Sequence, residues 1–171
     1  MERKVIRPAK DLEHSFVVGF AFIGFKPLVV LIQKRKPEWQ AGQLNGTGGH
    51  MKEGETPKEA MAREFEEETG IKTRPDRWLE SEDFHYNNGV VLHVLTTQLF
   101  GDTTPVSLTD EIVSVFPIRQ VIHMIAHPDM NIQGKIIHAL KRLGFDLSPE
   151  ESLALFRKHF QNEDNTWTTQ P

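Results

Sequence analysis

The sequence predicts one layered α/β domain. Three observations lead to this prediction: short apolar runs bounded by turn residues, a well-delimited acidic helix, and helical periodicity in the C-terminal third. A chain of 171 residues with 38% apolar content suits one hydrophobic core. We therefore expect residues 1–161 to form a single domain and the polar residues 162–171 to form a flexible tail.

Five apolar and β-branched runs are the candidate strands, because their composition and flanking turn residues suit a sheet. Gly24 separates the first two runs as a tight turn, and Asn87-Asn88-Gly89 predicts a hairpin between the third and the fourth. A glycine-laced stretch over residues 44–51 predicts a short strand and the loop that leads into a helix. The five runs cover residues 14–23, 27–33, 78–86, 90–100 and 112–116.

The acidic helix has start and stop signals at its two ends. Thr56 is a suitable N-cap, Pro57 suits the first helical position, and Glu59 completes a capping box. Gly70 suits a left-handed stop. Four residues form a stripe that predicts docking on a core, whereas Glu66 belongs to the other side and is expected at the surface. The stripe consists of Met61, Ala62, Phe65 and Thr69.

The pattern beyond Pro117 is helical. Apolar residues recur there at helical spacing, and Gly144 ends the second of three segments. The apolar residues of that second segment are Ile132, Ile136, Ile137 and Leu140. The three predicted helices cover residues 121–126, 132–143 and 149–160.

Three glutamates of the acidic helix are crowded on one face. Residues three and four apart are neighbours on a helix, so Glu64, Glu67 and Glu68 project from an arc of about 100°. Like charges at these spacings repel by roughly a few tenths of a kcal/mol per pair, and a cation on that face would explain the arrangement. Ligands that are all oxygen favour Mg²⁺ or Mn²⁺.

Composition excludes several classes of protein. The chain has no cysteine, so it has neither disulfides nor thiolate metal ligands. Its N-terminus lacks the charged-then-apolar layout of a signal peptide, and no apolar run reaches the roughly 20 residues of a membrane span. The formal charge of -4, with a pI near 6.1, provides no general attraction to nucleic acid. We therefore expect a cytoplasmic protein without membrane or nucleic-acid-polymer partners.

One motif joins the glycine-rich turn to the acidic helix. It reads Gly49, five residues, Glu55, seven residues, and then Arg63-Glu64-Phe65-Glu66-Glu67-Glu68-Thr69-Gly70-Ile71. This pattern resembles the signature of the Nudix hydrolases at every fixed position. The resemblance implies an α/β/α sandwich with a mixed sheet between helices. It also implies a Mg²⁺-dependent hydrolase, with Mn²⁺ as a substitute, that cleaves the diphosphate of a nucleoside diphosphate linked to a variable group X.

The resemblance also implies roles for the residues of the motif. Arg63 would orient the glutamates through ion pairs, and Glu55 would support this arrangement from outside the metal site. The Gly48 position contributes its backbone carbonyl. The implied metal ligands are Gly48, Glu64, Glu67, Glu68 and Glu111.

A carboxylate from outside the motif usually completes the site in this family. Glu111, at the start of a predicted strand, is the preferred residue, and Asp110 and Glu82 are alternatives. The sequence leaves the general base open among three residues. These are Glu64, Glu67 and Glu111. His85 and His93 are expected to be packing or surface residues.

Residues 39–49 resemble the MutT-type triphosphatases of oxidised purine nucleotides. In that group an Asn at the Asn45 position reads the purine edge, which suits its paired donor and acceptor. Trp39 would stack on a base. Lys34 and Arg35 would contact phosphates.

Two further positions complete the predicted substrate site. Gly49, together with its neighbouring glycines, lets the backbone come close to a phosphate. Asp129 precedes a predicted helix, where related enzymes place an acidic base-reading residue. The sequence departs from close relatives at His50, where a lysine is common.

The predicted reaction is hydrolysis of a purine nucleoside triphosphate, oxidised or not, to the monophosphate and pyrophosphate. The nearer alternative is an ADP-ribose or nucleoside diphosphate sugar pyrophosphatase, which would share every metal ligand. The alternative from another class is a non-catalytic Nudix module that senses a nucleotide, and the intact set of carboxylates argues against it. The sequence leaves the choice between monomer and homodimer open.

Overall fold

The structure is a computed structural model that describes residues 15–24, 28–36, 38–101, 103–118, 120–121, 135–136, 139 and 142–143, without the Trp39 side chain. Several predicted features lie outside the described residues. They are Asp129, the helix at 149–160, most of the helices at 121–126 and 132–143, and the tail at 162–171.

The described residues include six strands, one α-helix that is described over its full length and two 3-10 helices. The strands are β1 Ser15–Ile23, β2 Leu28–Gln33, β3 Leu44–Asn45, β4 Leu79–His85, β5 Val91–Leu99 and β6 Ile112–Pro117. Helix α1 spans Pro57–Thr69, and the 3-10 helices span Glu38–Gln40 and Pro75–Arg77. Every predicted strand is present, with ends shifted by no more than about two residues. None of the described helices is long and apolar enough to cross a membrane.

The six strands form one mixed sheet. Strands β3, β2, β1, β5 and β4 follow one another in the sheet, and β6 pairs with β2. Strands β1 and β5 are parallel over the full length of both. The pairs β1–β2, β4–β5 and β2–β6 are antiparallel. The predicted turn after β1 and the predicted β4–β5 hairpin are therefore confirmed.

Strands β1 and β2 are paired at only one end. Their pairs are confined to residues 21–23 and 28–30, and beyond these a glycine segment, residues 44–50, pairs with both strands. The start of the glycine segment pairs with the end of β2, and Thr47 and His50 bridge to β1. The segment therefore enters the sheet where two strands diverge, and it leads on to α1.

Helical residues pack on both faces of the sheet. Alternate residues of each strand point to opposite faces, so each strand contributes to two cores. Helix α1 packs on one face, in a core that includes Val17, Ala21, Met61, Phe65, Trp78 and Leu95. The opposite core includes Val18, Phe20, Leu31, Val121, Ile136 and Ala139. Residues 120, 121, 135, 136, 139 and 142 are helical. The predicted α/β/α sandwich is therefore confirmed.

Both ends of α1 have the predicted caps. Thr56 has extended backbone angles, its hydroxyl accepts from Glu59 N at 3.3 Å, and Glu59 accepts from Thr56 N at 2.8 Å. Gly70 is left-handed, with φ 73°, and its amide donates to Glu66 O at 2.9 Å. The predicted stripe is buried, Glu66 is exposed, and Glu68 is buried as well. The burial of Glu68 was not predicted from the sequence.

We expect Thr56→Ala to lower the free energy of unfolding by about 1 kcal/mol, because it removes the hydroxyl that accepts from Glu59 N while the backbone amide of residue 56 can still donate to Glu59. Urea denaturation measures the change. The matched control is Thr104→Ala at an exposed loop position, which we expect to have almost no effect. Equal midpoints for the two variants would contradict the stabilising role of the cap.

Candidate active site

The glycine segment bonds to β1 on one side and to α1 on the other. Hydrogen bonds of 2.7 and 2.9 Å join the carbonyls of Thr47 and Gly49 to amides of β1. Successive peptide groups of an extended chain alternate in direction, so those of Gly48 face α1. Gly48 N donates to Glu68 Oε2 at 2.9 Å. Within the described residues, nothing donates to the Gly48 carbonyl oxygen.

Glycine is required in this segment by the short distance to its neighbours. A Cβ on Gly48, which has φ 149°, would lie 2.1 Å from the carbonyl oxygen of Val17. A Cβ on Gly49 would lie 2.8 Å from the Glu64 carboxylate. The absence of side chains lets the backbone contact both β1 and the acidic face of α1.

Arg63 joins three of the glutamates. Its Nε and Nη2 donate to the two oxygens of Glu55 at 2.6 and 2.9 Å, and its Nη1 donates to Glu64 at 2.6 Å and to Glu67 at 3.1 Å. Nη2 also donates to the His50 carbonyl at 3.0 Å. The hydrogen bond from Arg63 lowers the pKa of Glu55, and the same bond raises the pKa of Arg63. These bonds fix Glu64 and Glu67 relative to the glycine segment.

Glu68 has a different environment from the other glutamates of α1. Only 6% of the residue is exposed, whereas about half of the Glu67 side chain is exposed. Burial raises the pKa of Glu68 to about 8, and the neighbouring charges of Glu64 and Glu111 act in the same direction. Lys34 and the amide of Gly48 oppose this shift without cancelling it. The predicted common arc of three glutamates therefore contains one buried and one exposed carboxylate.

Glu111 lies within electrostatic reach of Glu68, but two donors already hold it. Lys34 Nζ donates to Glu111 Oε2 at 2.8 Å, and Arg35 N donates to Oε1 at 2.9 Å. Glu111 is 9% exposed. The pair is therefore largely shielded from water, and an ion pair is stronger in such surroundings than at the surface. The alternatives for this position, Asp110 and Glu82, are both exposed.

A cleft of about 620 Å³ opens beside the glycine segment. Gly48, Gly49 and His50 line it next to α1, and the ring of His50 packs on Phe16 with centroids 4.0 Å apart. The other walls are formed by apolar residues, by the β4–β5 hairpin and by several polar side chains. The apolar residues are Phe16, Val17, Val18, Val90 and Leu92. The polar residues are Lys34, Lys36, Gln40, Asn45, Tyr86, Asn88 and Lys135.

Asn45 lines the cleft at the start of the glycine segment. Its Oδ1 accepts from Gly46 N at 2.9 Å. Its amide nitrogen is a donor, and no described residue accepts from it. The side chain was predicted to offer a paired donor and acceptor, and the structure directs the acceptor to the backbone.

A model of the NUDIX domain matches residues 15–140 of the chain. This match covers well over half of the sequence, from β1 through the glycine segment and α1 to the second layer of helices. The chain belongs to the Nudix family. Members of this family are hydrolases that act on pyrophosphate bonds, in agreement with the enzyme class predicted from the motif.

Three solved structures share the Nudix fold of this chain at low sequence identity. The NUDIX domain of Shewanella oneidensis NrtR, complexed with ADP ribose, has a TM-score of 0.60 and 16% identity over 84% of this chain and 94% of that chain. MutT, from a study of the Aliivibrio salmonicida and Vibrio cholerae proteins, has a TM-score of 0.55 and 17% identity over 74% and 92%. A MutT/nudix family protein from Enterococcus faecalis has a TM-score of 0.54 and 19% identity over 68% of this chain. This chain spans 46% of the Enterococcus protein.

Nudix hydrolases generally use a divalent metal ion, and the donors present here fit one. The Gly48 carbonyl has no described donor, and Glu68 is a buried carboxylate among other negative charges, so a cation would stabilise both. However, no three acidic or histidine side chains of the described residues converge in metal-binding geometry. Arg63 and Lys34 instead neutralise Glu64, Glu67 and Glu111.

The remaining predicted substrate residues have different outcomes. The Arg35 side chain is exposed and does not line the cleft. The backbone amide of Arg35 binds Glu111, and the lysines on either side, Lys34 and Lys36, line the cleft instead. Trp39 belongs to a 3-10 helix, and its side chain is outside the described residues, as is Asp129. His93 is buried, with Nδ1 2.6 Å from Asp83 Oδ1, which agrees with a packing role.

Sequence reasoning missed five polar residues of the cleft. They are Lys36, Gln40, Tyr86, Asn88 and Lys135. Lys135 had a detectable signal, because it directly precedes Ile136 within a predicted apolar stripe, where a lysine is unusual. The other four residues lie in a loop, a 3-10 helix and the turn of the β4–β5 hairpin, and no periodicity distinguishes them.

We expect the metal-free protein to lose stability between pH 5 and pH 8 because of Glu68. Its pKa in the folded state is about 8, above the ordinary value of 4.5, so the folded state retains a proton that the unfolded state has released. Unfolding free energies from urea titrations at pH 5, 6.5 and 8 measure the effect. Between pH 5 and pH 8, the free energy of unfolding of the wild type should fall by on the order of 2 kcal/mol more than that of Glu68→Gln.

Glu66→Gln, at an exposed position of the same helix, is the control and should keep the pH dependence of the wild type. Parallel pH profiles for the wild type and Glu68→Gln would contradict the raised pKa.

Proposed function

We propose that this Nudix protein is a Mg²⁺-dependent pyrophosphohydrolase that converts a purine nucleoside triphosphate to the monophosphate and pyrophosphate. One observation carries the proposal. A single cleft runs from the glycine segment, whose Gly48 bonds to Glu68 and whose Gly49 lies against Glu64, to an apolar region that Asn45 also lines. A nucleotide has the same division into a charged phosphate chain and a flat base with polar edges.

The phosphates would lie at the end of the cleft next to α1. Gly48 and Gly49 have no side chains there, so a phosphate can approach the backbone and the carboxylates together. Lys34 and Lys36 line the same cleft and would offset phosphate charge. The base would lie against Phe16 and the neighbouring apolar wall.

The metal ion would be held by Glu64, Glu68 and the Gly48 carbonyl, with Glu67 and Glu111 as further oxygen ligands. When bound, it supplies charge neutralisation of the diphosphate and a lowered pKa of an attacking water. The chain's own contribution is placement. Arg63 holds Glu64 and Glu67 by hydrogen bonds of 2.6 and 3.1 Å, and Glu55 holds Arg63 in turn.

A glutamate must take the proton of the attacking water. Both oxygens of Glu111 already accept hydrogen bonds from Lys34 and Arg35, which makes it the least available of the three candidates. Glu64 and Glu67 stay the candidates for this step. Glu67 is more accessible to solvent than Glu64, so a proton can leave it directly to water.

ADP-ribose is the second candidate substrate. The NUDIX domain of Shewanella oneidensis NrtR, which is complexed with ADP ribose, shares the fold over most of both chains. The two candidates differ in their products, because ADP-ribose would release ribose phosphate and AMP. A sensing module without catalysis is disfavoured by the complete set of glutamates around Arg63.

We expect Glu67→Gln to lower turnover of the preferred nucleotide by about 10²- to 10⁴-fold, because it removes a metal ligand or the general base. The fold should persist, since the Glu67 side chain is about half exposed. Steady-state kinetics and thermal unfolding measure the two effects. Glu66→Gln, one residue away and also exposed, is the matched control and should keep wild-type turnover. Wild-type rates in Glu67→Gln would refute the proposed role.

A panel of nucleotides with Mg²⁺ or Mn²⁺, with the products resolved by chromatography, tests the substrate assignment. Purine triphosphates should yield monophosphate and pyrophosphate, and Asn45→Ala should lower kcat/KM for them by roughly tenfold, the value of one lost hydrogen bond. ADP-ribose hydrolysis should change less. Equal losses on the two substrates, or hydrolysis of ADP-ribose alone, would exclude the triphosphate assignment.

A further inference from the structure

A lysine is buried in the wall of the cleft. Lys135 is only 8% exposed, and its pKa is lowered by burial. It belongs to a helical segment whose next residue, Ile136, is fully buried in the opposite core. Because desolvation of an ammonium group is costly, a lysine is rarely found in such a position without a partner.

The described residues provide no partner for Lys135. No ion pair or hydrogen bond joins it to any of them, and the carboxylates nearest to the glycine segment are bonded to Arg63, Lys34 or Gly48. The Lys135 side chain does line the cleft. An ammonium group at this position can donate to a molecule bound in the cleft.

Lys135 lies in a different part of the cleft from the proposed phosphate-binding end. Ile136, its neighbour, packs in the core on the face of the sheet opposite α1, together with Val18 and Leu92. Both of these residues also line the cleft. Lys135 is thus associated with the apolar region that would hold a base, whereas Lys34 contacts the carboxylates near α1 through Glu111.

Asn45 and Lys135 both bring donors to the cleft, where Gln40, Tyr86 and Asn88 can also accept hydrogen bonds. The oxygen of Asn45 is bonded to Gly46, so its amide nitrogen is the group that can face a base, and a lysine ammonium has three donors and no acceptor. The edge of guanine carries two acceptors, O6 and N7, whereas adenine presents a donor, the N6 amino group, in place of O6. A lysine ammonium opposite the 6-position of the base therefore favours the O6 keto group of guanine over the N6 amino group of adenine.

We propose that Lys135 is a specificity-determining residue that donates hydrogen bonds to the keto edge of a guanine-type base. This inference rests on the proposed function, because it takes the apolar region of the cleft to be the base site. It assigns to Lys135 the selection between bases and no part in the hydrolysis itself.

The test compares dGTP with dATP in Lys135→Met, which keeps an unbranched side chain of similar length and removes the charge. We expect kcat/KM for dGTP to fall 10- to 100-fold, the range for loss of a charged hydrogen bond. The value for dATP should change less than threefold. Lys135→Arg, which keeps the charge, should retain part of the preference for dGTP. Lys72→Met, at an exposed position outside the cleft lining, is the control and should change neither substrate.

A purely structural role for Lys135 gives a different result. Lys135→Met would then lower the thermal unfolding midpoint and reduce activity on dGTP and dATP equally, and this outcome would overturn the proposal. The proposal instead expects an unchanged or higher midpoint, because the variant no longer buries a charge. Unchanged selectivity in Lys135→Met would also overturn it.

Direct binding of the products separates this proposal from the proposed function. Calorimetry with dGMP and dAMP needs no hydrolysis, and we expect the wild type to bind dGMP more tightly and Lys135→Met to lose that preference. If the wild type shows this preference but hydrolyses no triphosphate, the reaction is wrong and the role of Lys135 stands. If the wild type hydrolyses triphosphates without any dependence on Lys135 in either assay, the role of Lys135 is wrong and the reaction stands.

Discussion

The close approach of the glycine segment to β1 and to α1 is the constraint on which the site depends. The carbonyls of Thr47 and Gly49 bond to β1, so the amide of Gly48 faces α1 and bonds to Glu68. Any side chain at Gly48 would collide with the backbone of β1. The hydrogen bond from Gly48 also stabilises Glu68 in its buried position, where a carboxylate without a partner would be unfavourable. The position of one backbone segment therefore determines the environment of the acidic cluster.

The distribution of charge around that segment connects the fold to its chemistry. Arg63 and Lys34 compensate Glu55, Glu64, Glu67 and Glu111 through short hydrogen bonds, whereas Glu68 accepts from the backbone amide of Gly48. Burial is the main cause of the raised pKa of Glu68, and the nearby charges of Glu64 and Glu111 add to it. A divalent ion would compensate this negative charge, and the charges held by Arg63 and Lys34 keep the remaining carboxylates in place until it binds. The site thus combines stable placement with a buried carboxylate that a cation would stabilise.

The two faces of the sheet contribute different parts of the cleft. The glycine segment lines the cleft and bonds to α1 through Gly48 and Glu68, whereas the opposite face provides apolar residues and the buried Lys135. The cleft forms where β1 and β2 diverge and the glycine segment pairs with both. A substrate with a charged part and a flat apolar part can therefore contact both layers of the sandwich at once.

The sequence by itself determined the features that depend on neighbours along the chain. The caps at Thr56 and Gly70, the buried stripe of α1, the strands and the link from Arg63 to Glu64 and Glu67 all follow from periodicity, local hydrogen bonding or a contiguous motif. Tertiary structure decided what depends on contacts between distant segments. No local pattern records four of these features: the burial of Glu68, the ion pair of Glu111 with Lys34, the exposure of Arg35 and the place of Lys135 in the cleft. The contacts involved join residues that are far apart in sequence, by 20 positions for Gly48 and Glu68 and by 77 for Lys34 and Glu111.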